Sequence, residues 1–476
     1  MRDYSRYFSD VVEVSHIEPQ VFVDYVGRTR WFGGKGRPFA VSGVRRVGGL
    51  GSGTADRWPH VDVLLVELTY GDVPAGGDDA VELYQVPLTY YAEPEHRLDH
   101  AFLGWWEDPR HGWVHAYDAL HDREATRLWL EAFGAADERP GEDDGLTFRT
   151  LPGHELDLGA TGTLFSGEQS NSSILYGEDS VLKLFRKITP GPNPDITTHD
   201  ALTRKGSTQV AHLYGWVEAG ETHLGMLQQF LRTATDGFDL ALTSVRDLLA
   251  DPDVEAREAG GDFSGEAGRL GEALAEVHAD LREAFATSTV PAGQVAGVMV
   301  QRLRRAVGIV PGLGDHVAAL EALYGRLADL GDVDVQTVHG DLHLGQTLRT
   351  SAGWKIVDFE GEPAKTLAER VLPDSPWRDV AGMLRSFDYA PHVAARQRED
   401  DPEGSAERQA RGVEWTERQQ RYFLTAYAGG DLSDEQRTLV DAYTADKAVY
   451  ETIYETRNRP TWVDIPLAAV ARIGAA

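Results

Sequence analysis

Cysteine is absent from this 476-residue chain. That absence excludes a disulfide framework, a thiolate nucleophile and a cysteine-ligated metal site. Long apolar runs are also missing, since none approaches the roughly 18 residues of a membrane span and the N-terminus has no apolar core of signal-peptide length. We therefore expect a cytoplasmic protein without a membrane partner.

Positive charge is scarce as well. The chain has 46 Lys and Arg residues against 76 Asp and Glu residues, a formal net charge of -30. This acidity opposes binding to nucleic acid or to an anionic membrane, because like charges repel. A neutral or cationic small molecule is easier to accommodate. Hydrophobic residues at 42% and charged residues at 26% are typical of a folded globular chain.

The hydrophobic pattern divides the chain into three predicted parts. Residues 1–97 alternate glycine-rich turns with strand-like runs, which indicates a mainly β cap. Residues 98–231 form an intermediate subdomain, whose short strands at 173–176, 181–185 and 225–231 predict the sheet of a kinase N-lobe, whereas the acidic segment 137–145 predicts an exposed loop. Residues 232–476 carry long amphipathic patterns, including 267–286, 315–330 and 433–457, which predict a helical C-lobe.

The motif from His339 to Gln346 suggests phosphoryl transfer. Asp341 follows a glycine at the end of an apolar stretch, so we expect it on an accessible loop, as the base that orients and deprotonates an acceptor hydroxyl. Gln346 follows five residues later, and Asp358 ends a second apolar strand. Their oxygen atoms suit Mg²⁺. Alternatively, each aspartate caps a turn, but their joint spacing favours the metal site.

Two histidines flank Asp341 in sequence. His339 and His343 suggest a metal pair, but no third nitrogen or sulfur ligand lies nearby. We therefore predict that His339 supports the loop backbone through a hydrogen bond.

A polar turn and a lysine upstream predict the nucleotide site. A turn with small residues can direct backbone N–H groups at phosphates, although an ordinary hairpin explains it equally well. Lys183, in an apolar strand, is stronger evidence because lysine is rarely buried without a partner. That partner is either Asp195 or Asp200. The turn residues expected to contact ATP are Gln169, Ser170, Asn171 and Ser172.

Together these motifs resemble the maltokinase-like sugar kinases, which are related in fold to aminoglycoside phosphotransferases. The resemblance rests on segments 168–173, 339–346, 358–363, 378–389 and 446–460, and segment 30–36 is similar to that family's cap. It implies an α+β, bilobal protein-kinase-like fold with an N-terminal β cap and a large helical C-terminal lobe. It also implies an ATP- and Mg²⁺-dependent enzyme that acts on a sugar, with ATP near Gln228 and Phe230, and we expect a monomer.

The last long helix is predicted to hold the sugar. Several of its residues recur on one face, where aromatic rings can pack on a sugar and polar groups can bond its hydroxyls. A tyrosine stripe buried in the core is the alternative. With His343, the residues expected near the sugar are Lys447, Tyr450, Glu451, Tyr454 and Arg457.

Two positions differ from the maltokinase pattern, namely Trp377 and Asn458. A bulky indole near the acceptor would fill the space of a disaccharide's second ring, and an acidic site would favour an amino sugar. The superfamily includes a subgroup of glucosamine kinases that resemble maltokinases, and this chain resembles that subgroup at these positions. The resemblance therefore implies a kinase that converts glucosamine to glucosamine 6-phosphate. A maltokinase forming maltose 1-phosphate, an aminoglycoside kinase and a nucleotide-binding pseudokinase are the alternatives. Alternatively, Trp377 simply packs against the protein at the first turn of the helix that Ser375 and Pro376 begin.

Overall fold

The computed structural model describes residues 7–8, 12–51, 58–71, 81–136, 141–165, 170–250, 255–257, 261–362, 365–397 and 405–475. The chain divides into two compact units, Met1–Thr197 with Ala211–Arg232, and Thr198–Val210 with Thr233–Ala476. No helix among the described residues is both long and apolar enough to cross a membrane. The division at residues 1–97, 98–231 and 232–476 stays a prediction.

The first unit contains two β-sheets. In the first sheet the strand order is β1-β2-β3-β4-β6-β5, with β12 paired to β4. Its central strand β3 is buried along almost its whole length. Its two buried acids, Asp62 and Glu67, are paired with Arg46 and Arg45 of the neighbouring strand β2. The strands are β1 (Val12–Glu13), β2 (Phe39–Leu50), β3 (His60–Tyr70), β4 (Val81–Tyr91), β5 (Phe102–Asp108), β6 (Gly112–Asp118) and β12 (Lys187–Ile188).

The second sheet of this unit has the order β7-β8-β13-β14-β11-β10-β9. Its apolar side chains pack with rings from the preceding helix, where Phe133 meets Phe148 edge to face at 5.0 Å. The strands are β7 (Gly141–Asp143), β8 (Leu146–Thr150), β9 (Gly162–Leu164), β10 (Asn171–Tyr176), β11 (Ser180–Phe185), β13 (Leu213–Ala219) and β14 (Thr222–Gln229). The helices of this part of the chain are α1 (Pro19–Arg28), α2 (Arg123–Ala135) and the start of α3 (Pro194–Lys205).

Strand β7 corrects one expectation. The acidic segment 137–145 was expected to be a loop, yet Gly141–Asp143 pairs with β8 in an antiparallel register. Residues 137–140 lie outside the described residues. The two strands form a local hairpin, because Asp144 and Gly145 turn the chain between them with φ values of 42° and 93°. So short a polar strand has no alternating apolar pattern, and the Asp-Gly pair is the signal that could have identified it.

The second unit is mainly helical, and the predicted α+β class is confirmed. Two small sheets accompany the helices, with pairings β15-β18-β19 and β16-β17. The helices are α4 (Gly237–Ala250), α5 (Ser264–Ala284), α6 (Ala292–Val307), α7 (Val317–Ala328), α8 (Leu367–Arg370), α9 (Trp377–Arg396), α10 (Ser405–Ala428), α11 (Asp434–Asn458) and α12 (Asp464–Ala475). The strands are β15 (Thr235–Asp236), β16 (Ser288–Pro291), β17 (Asp332–Val335), β18 (Thr347–Thr350) and β19 (Gly353–Ile356).

Helix α11 is the longest element of this unit, and its ends follow from the sequence. Ser433 and Gln436 form a capping box, in which each side chain accepts a hydrogen bond from the other residue's backbone N–H. The helix ends at Asn458, two residues before Pro460, which favours a helix stop. The part of this helix from Tyr443 to Arg457 forms one wall of the site described next.

Candidate active site

The loop from His339 to Asp341 is fixed by hydrogen bonds on two sides. Gly340 has a φ of 84°, in the left-handed region that glycine adopts readily. The Asp379 carboxylate accepts hydrogen bonds from the N–H groups of His339, at 2.7 Å, and Gly340, at 2.8 Å. His339 Nε2 donates to the carbonyl oxygen of Val357 at 2.9 Å. The His339 ring therefore supports the loop through a hydrogen bond, as predicted, and the backbone just before Asp341 is fixed by Asp379.

Asp379 is itself held by a network that the sequence did not reveal. The residue is 1% exposed, and His278 Nε2 donates to its carboxylate at 3.1 Å. The hydroxyl of Tyr427 lies 2.8 Å from Nδ1 of the same imidazole. Burial alone would raise the pKa of Asp379, but the hydrogen bonds and charges of His278 and His339 hold that pKa below its ordinary value. Asp379 is therefore an ionised anchor beneath the loop.

Asp341 lies beside a cation and remains a carboxylate. Lys447 Nζ donates to its Oδ1 at 3.3 Å, and both side chains are about a quarter exposed. Burial would raise the pKa of Asp341, but the positive charge of Lys447 brings it below the ordinary value. For His343, burial lowers the pKa although Asp341 opposes this, so a neutral imidazole is favoured. Asp341 can thus accept a proton near neutral pH.

Gln346 and Asp358 meet at the open end of the β18–β19 hairpin. The side-chain Nε2 of Gln346 donates to Asp358 Oδ2 at 3.0 Å, and the N–H of Val357 donates to the backbone carbonyl oxygen of Gln346 at 3.0 Å. Asp358 has a φ of 69°, which is uncommon for a residue other than glycine and is found most often at functional sites. The carboxylate and amide oxygens of this pair are ligands that Mg²⁺ accepts, so the residues fit the ion.

A cavity of about 750 Å³ opens beside Asp341. Five of the seven residues expected near the sugar line it, together with three further acids that no sequence motif indicated. The expected residues are His343, Lys447, Tyr450, Glu451 and Tyr454, and the additional acids are Asp236, Glu362 and Glu455.

The remaining two residues lie elsewhere. Trp377 is only 8% exposed, and its ring packs edge to face on Tyr427 at 5.4 Å. Among the described residues it lines neither of the two cavities that contain Asp341. The structure therefore does not bring Trp377 to the cavities beside Asp341, because the first turn of α9 directs this indole into the helical core, and its contact with the sugar stays a prediction. Arg457 lines the second cavity, of about 400 Å³, and not the first.

The acids of the larger cavity are held by neighbouring side chains. Arg385 Nε donates to Glu451 at 2.8 Å. Glu455 accepts from Arg459 Nη2 at 2.6 Å and from the Tyr389 hydroxyl at 3.1 Å. Burial raises the pKa of Glu451, although Arg385 and Lys447 oppose this. Glu451 and Glu455 are one helical turn apart on α11, and this i, i+4 spacing is the signal that could have identified Glu455.

In the first unit, Lys183 occupies the middle of β11 between β10 and β14. It is 8% exposed, and its Nζ donates to Asp195 at 2.9 Å. The choice between two acids is therefore settled for Asp195, since Asp200 accepts from Arg204 at 2.7 Å. A buried lysine with a carboxylate partner suits phosphate binding as a point charge.

The other predicted nucleotide contacts lie along the same sheet. Asn171 begins β10, and the neighbouring Ser172 hydroxyl accepts from Arg186 at 2.8 Å. Gln228 lies on β14, and the N–H of Phe230 donates to the Asp179 carbonyl at 2.8 Å. Ser170 immediately precedes β10, whereas Gln169 lies outside the described residues.

Comparison with known proteins identifies the family. The family described as "Maltokinase N-terminal cap domain" matches residues 25–122. A glucosamine kinase from Streptacidiphilus jiangxiensis is 30% identical over 327 residues, which cover 63% of this chain and 70% of that protein. The chain belongs to the glucosamine kinase family. A second member, from Mycolicibacterium smegmatis, is 29% identical over 325 residues, covering 64% of this chain and 77% of the relative.

Solved structures show that the fold of the glucosamine kinase family is shared. A glucosamine kinase in complex with glucosamine, ADP and inorganic phosphate has a TM-score of 0.66 and 22% identity, with 97% of this chain and 100% of that chain covered. A second crystal form has a TM-score of 0.67 and 21% identity over 95% and 99% of the two chains. The predicted resemblance to maltokinase-like sugar kinases and their glucosamine kinase subgroup is confirmed.

Proposed function

We propose that this chain transfers the γ-phosphate of ATP to glucosamine and forms glucosamine 6-phosphate and ADP. The observation that carries the proposal is the charge of the cavity beside Asp341, which is lined by five Asp or Glu and two Lys or Arg among the described residues. Such a cavity favours a sugar with an ammonium group. Membership of the glucosamine kinase family supports the same substrate.

The reaction follows from the position of Asp341. The 6-hydroxyl oxygen of the sugar attacks the γ-phosphorus, the bond from that phosphorus to the ADP oxygen breaks, and the hydroxyl proton passes to the Asp341 carboxylate. The Asp379 anchor and the His339 hydrogen bond orient the loop for this step. Lys447 keeps the carboxylate ionised before the transfer.

The nucleotide and metal contacts are assigned within each unit. Lys183, paired with Asp195, is assigned to the ATP phosphates, and Ser170, Asn171, Ser172, Gln228 and Phe230 remain proposed contacts of the nucleotide. Gln346 and Asp358 would hold Mg²⁺, which neutralises phosphate charge when bound. We further propose that the enzyme is cytoplasmic, where ATP is present, and acts as a monomer, since one chain supplies every assigned residue.

The sugar is assigned to one face of α11. Tyr450 and Tyr454 offer aromatic surface for the C–H face of a pyranose ring. Glu451 and Glu455 already pair with Arg385 and Arg459, and the remaining lone pairs of their carboxylates can accept from the ammonium group of the sugar. Replacing either glutamate with glutamine removes one charge-assisted hydrogen bond. We expect the KM for glucosamine to rise about 10- to 100-fold in each variant.

Maltose is the second candidate acceptor. The match to a maltokinase cap favours it, and the burial of Trp377 removes the reason to expect room for one ring only. In that case the phosphate would be transferred to the anomeric 1-hydroxyl.

An acceptor assay separates the candidates. ADP release would be measured with glucosamine and with maltose, and the products identified by NMR. We expect turnover of glucosamine with phosphate on its 6-oxygen, and turnover of maltose alone would refute the proposed substrate. For the glutamine variants of Glu451 and Glu455, Glu321→Gln is a matched control, because its carboxylate pairs with Arg304 at the surface and lines neither cavity that contains Asp341.

A further inference from the structure

The smaller cavity next to Asp341 differs in charge from the larger one. Six Arg or Lys and four Asp or Glu line it among the described residues, whereas acids exceed cations in the larger cavity. Asp341, Lys447 and Tyr450 line both cavities. An acidic and a basic cavity therefore meet at the residue assigned as the base.

The acids of the smaller cavity all have cationic partners. Arg302 pairs with Asp446, and Arg378 donates to Asp374 at 2.9 Å and to Glu362 at 3.1 Å. The fourth acid is Asp341, whose partner is Lys447. The excess positive charge is therefore not cancelled within the cavity.

Arg305 and Arg457 supply that excess. Neither arginine forms an ion pair with any residue in the described part of the chain. Arg305 lies on α6 and Arg457 lies on α11, and each is four residues from an isoleucine that lines the same cavity, Ile309 and Ile453. The cavity thus combines two guanidinium groups with apolar surface. A planar guanidinium can donate two parallel hydrogen bonds to a phosphate group.

Lys365 shows how crowded the cations are. Burial lowers its pKa, and Arg378 and Arg302 lower it further, against the opposing charges of Glu362 and Asp374. An anion in the cavity would relieve this repulsion.

We propose that the smaller cavity binds a phosphate monoester, in which Arg305 and Arg457 hold the phosphate and the two isoleucines contact the attached organic group. This site goes beyond the proposed reaction, because its ligand is an anion and the acceptor is a cation. It does not depend on which sugar is phosphorylated.

Calorimetry can test this site without any turnover. The full chain, saturated with MgADP to occupy the nucleotide site, would be titrated with glucose 6-phosphate and, separately, with inorganic phosphate. Glucose 6-phosphate lacks the ammonium group that the acidic cavity favours. We expect Arg305→Gln and Arg457→Gln each to weaken binding at least about tenfold. Arg304→Gln is the matched control, since Arg304 is 70% exposed, pairs with Glu321 and lies outside the cavity.

The outcomes distinguish the ligand sources. Arginine-dependent binding of both probes supports recognition of the phosphate group alone, and arginine-dependent binding of glucose 6-phosphate alone supports an ester site in which the sugar also contacts the cavity. The proposal would be overturned if neither probe binds. It would also be overturned if wild type and Arg305→Gln bind a probe with equal affinity. Thermal unfolding of each variant would verify that it is folded, which we expect because Arg305 and Arg457 are both exposed.

Discussion

Asp379 is expected to control both stability and turnover, although it lies beneath the loop that carries Asp341. Replacing Asp379 with asparagine keeps the side-chain shape and removes the charge. In the native protein this carboxylate accepts from two adjacent backbone N–H groups and from His278. An amide has only one oxygen to accept with, so its NH₂ group must face at least one of these donors.

The size of the effect can be worked from these bonds. Hydrogen bonds to charged groups contribute about 1.5–3 kcal/mol to stability and neutral ones about 0.5–1.5 kcal/mol. A hydrogen bond that the amide oxygen still accepts is therefore weaker by about 1 kcal/mol than the same bond to the carboxylate. A buried donor left without a partner costs about 1–3 kcal/mol. We therefore expect Asp379→Asn to lower the free energy of unfolding by about 2–4 kcal/mol. A displacement of Asp341 on the order of 1 Å would reduce kcat about 100-fold.

Urea unfolding followed by tryptophan fluorescence, together with steady-state kinetics, measures both effects. Glu321→Gln serves as the control, because its exposed pair with Arg304 should contribute less than about 1 kcal/mol. An Asp379→Asn protein with unchanged stability and unchanged kcat would refute the proposed anchoring of the loop.

Three further predictions follow from the site. Lys183→Met should raise the KM for ATP, whereas Lys187→Met, at an exposed position, should not; equal effects would contradict the assignment. Asp358→Asn should weaken Mg²⁺ activation in a metal titration, and an unchanged midpoint would exclude it as a ligand. Because the pKa of Asp341 is lowered, activity should persist as the pH falls and should be lost only when this carboxylate is protonated, below the ordinary carboxylate range. Lys447→Met should move this loss of activity to higher pH. A pH–activity profile whose acidic side does not move would refute the pairing of Lys447 with Asp341.

The contact between Gln346 and Asp358 and the loop that carries Asp341 could be predicted because their geometry is local. Gln346 and Asp358 flank a short hairpin, so the chain itself brings them together. The Gly-Asp sequence likewise indicates a loop wherever it follows an apolar stretch. Lys183 also required a partner, because a buried ammonium group is unstable without one.

The direction of Trp377 could not be predicted, because its neighbour Tyr427 lies fifty residues later in the sequence. The beginning of α9 is readable from Ser375 and Pro376, but which side of its first turn faces the core depends on α10. The network of Asp379 with His278 and Tyr427 has the same origin, since three helices supply its members.

The central claim is that Asp341 accepts the proton of the attacked sugar hydroxyl. The most direct measurement is the kcat of Asp341→Asn with MgATP and glucosamine, alongside calorimetric binding of ATP to the same variant. We predict a fall in kcat of about 10²- to 10⁴-fold with ATP affinity unchanged. A variant that binds ATP normally and retains the wild-type kcat would contradict the account.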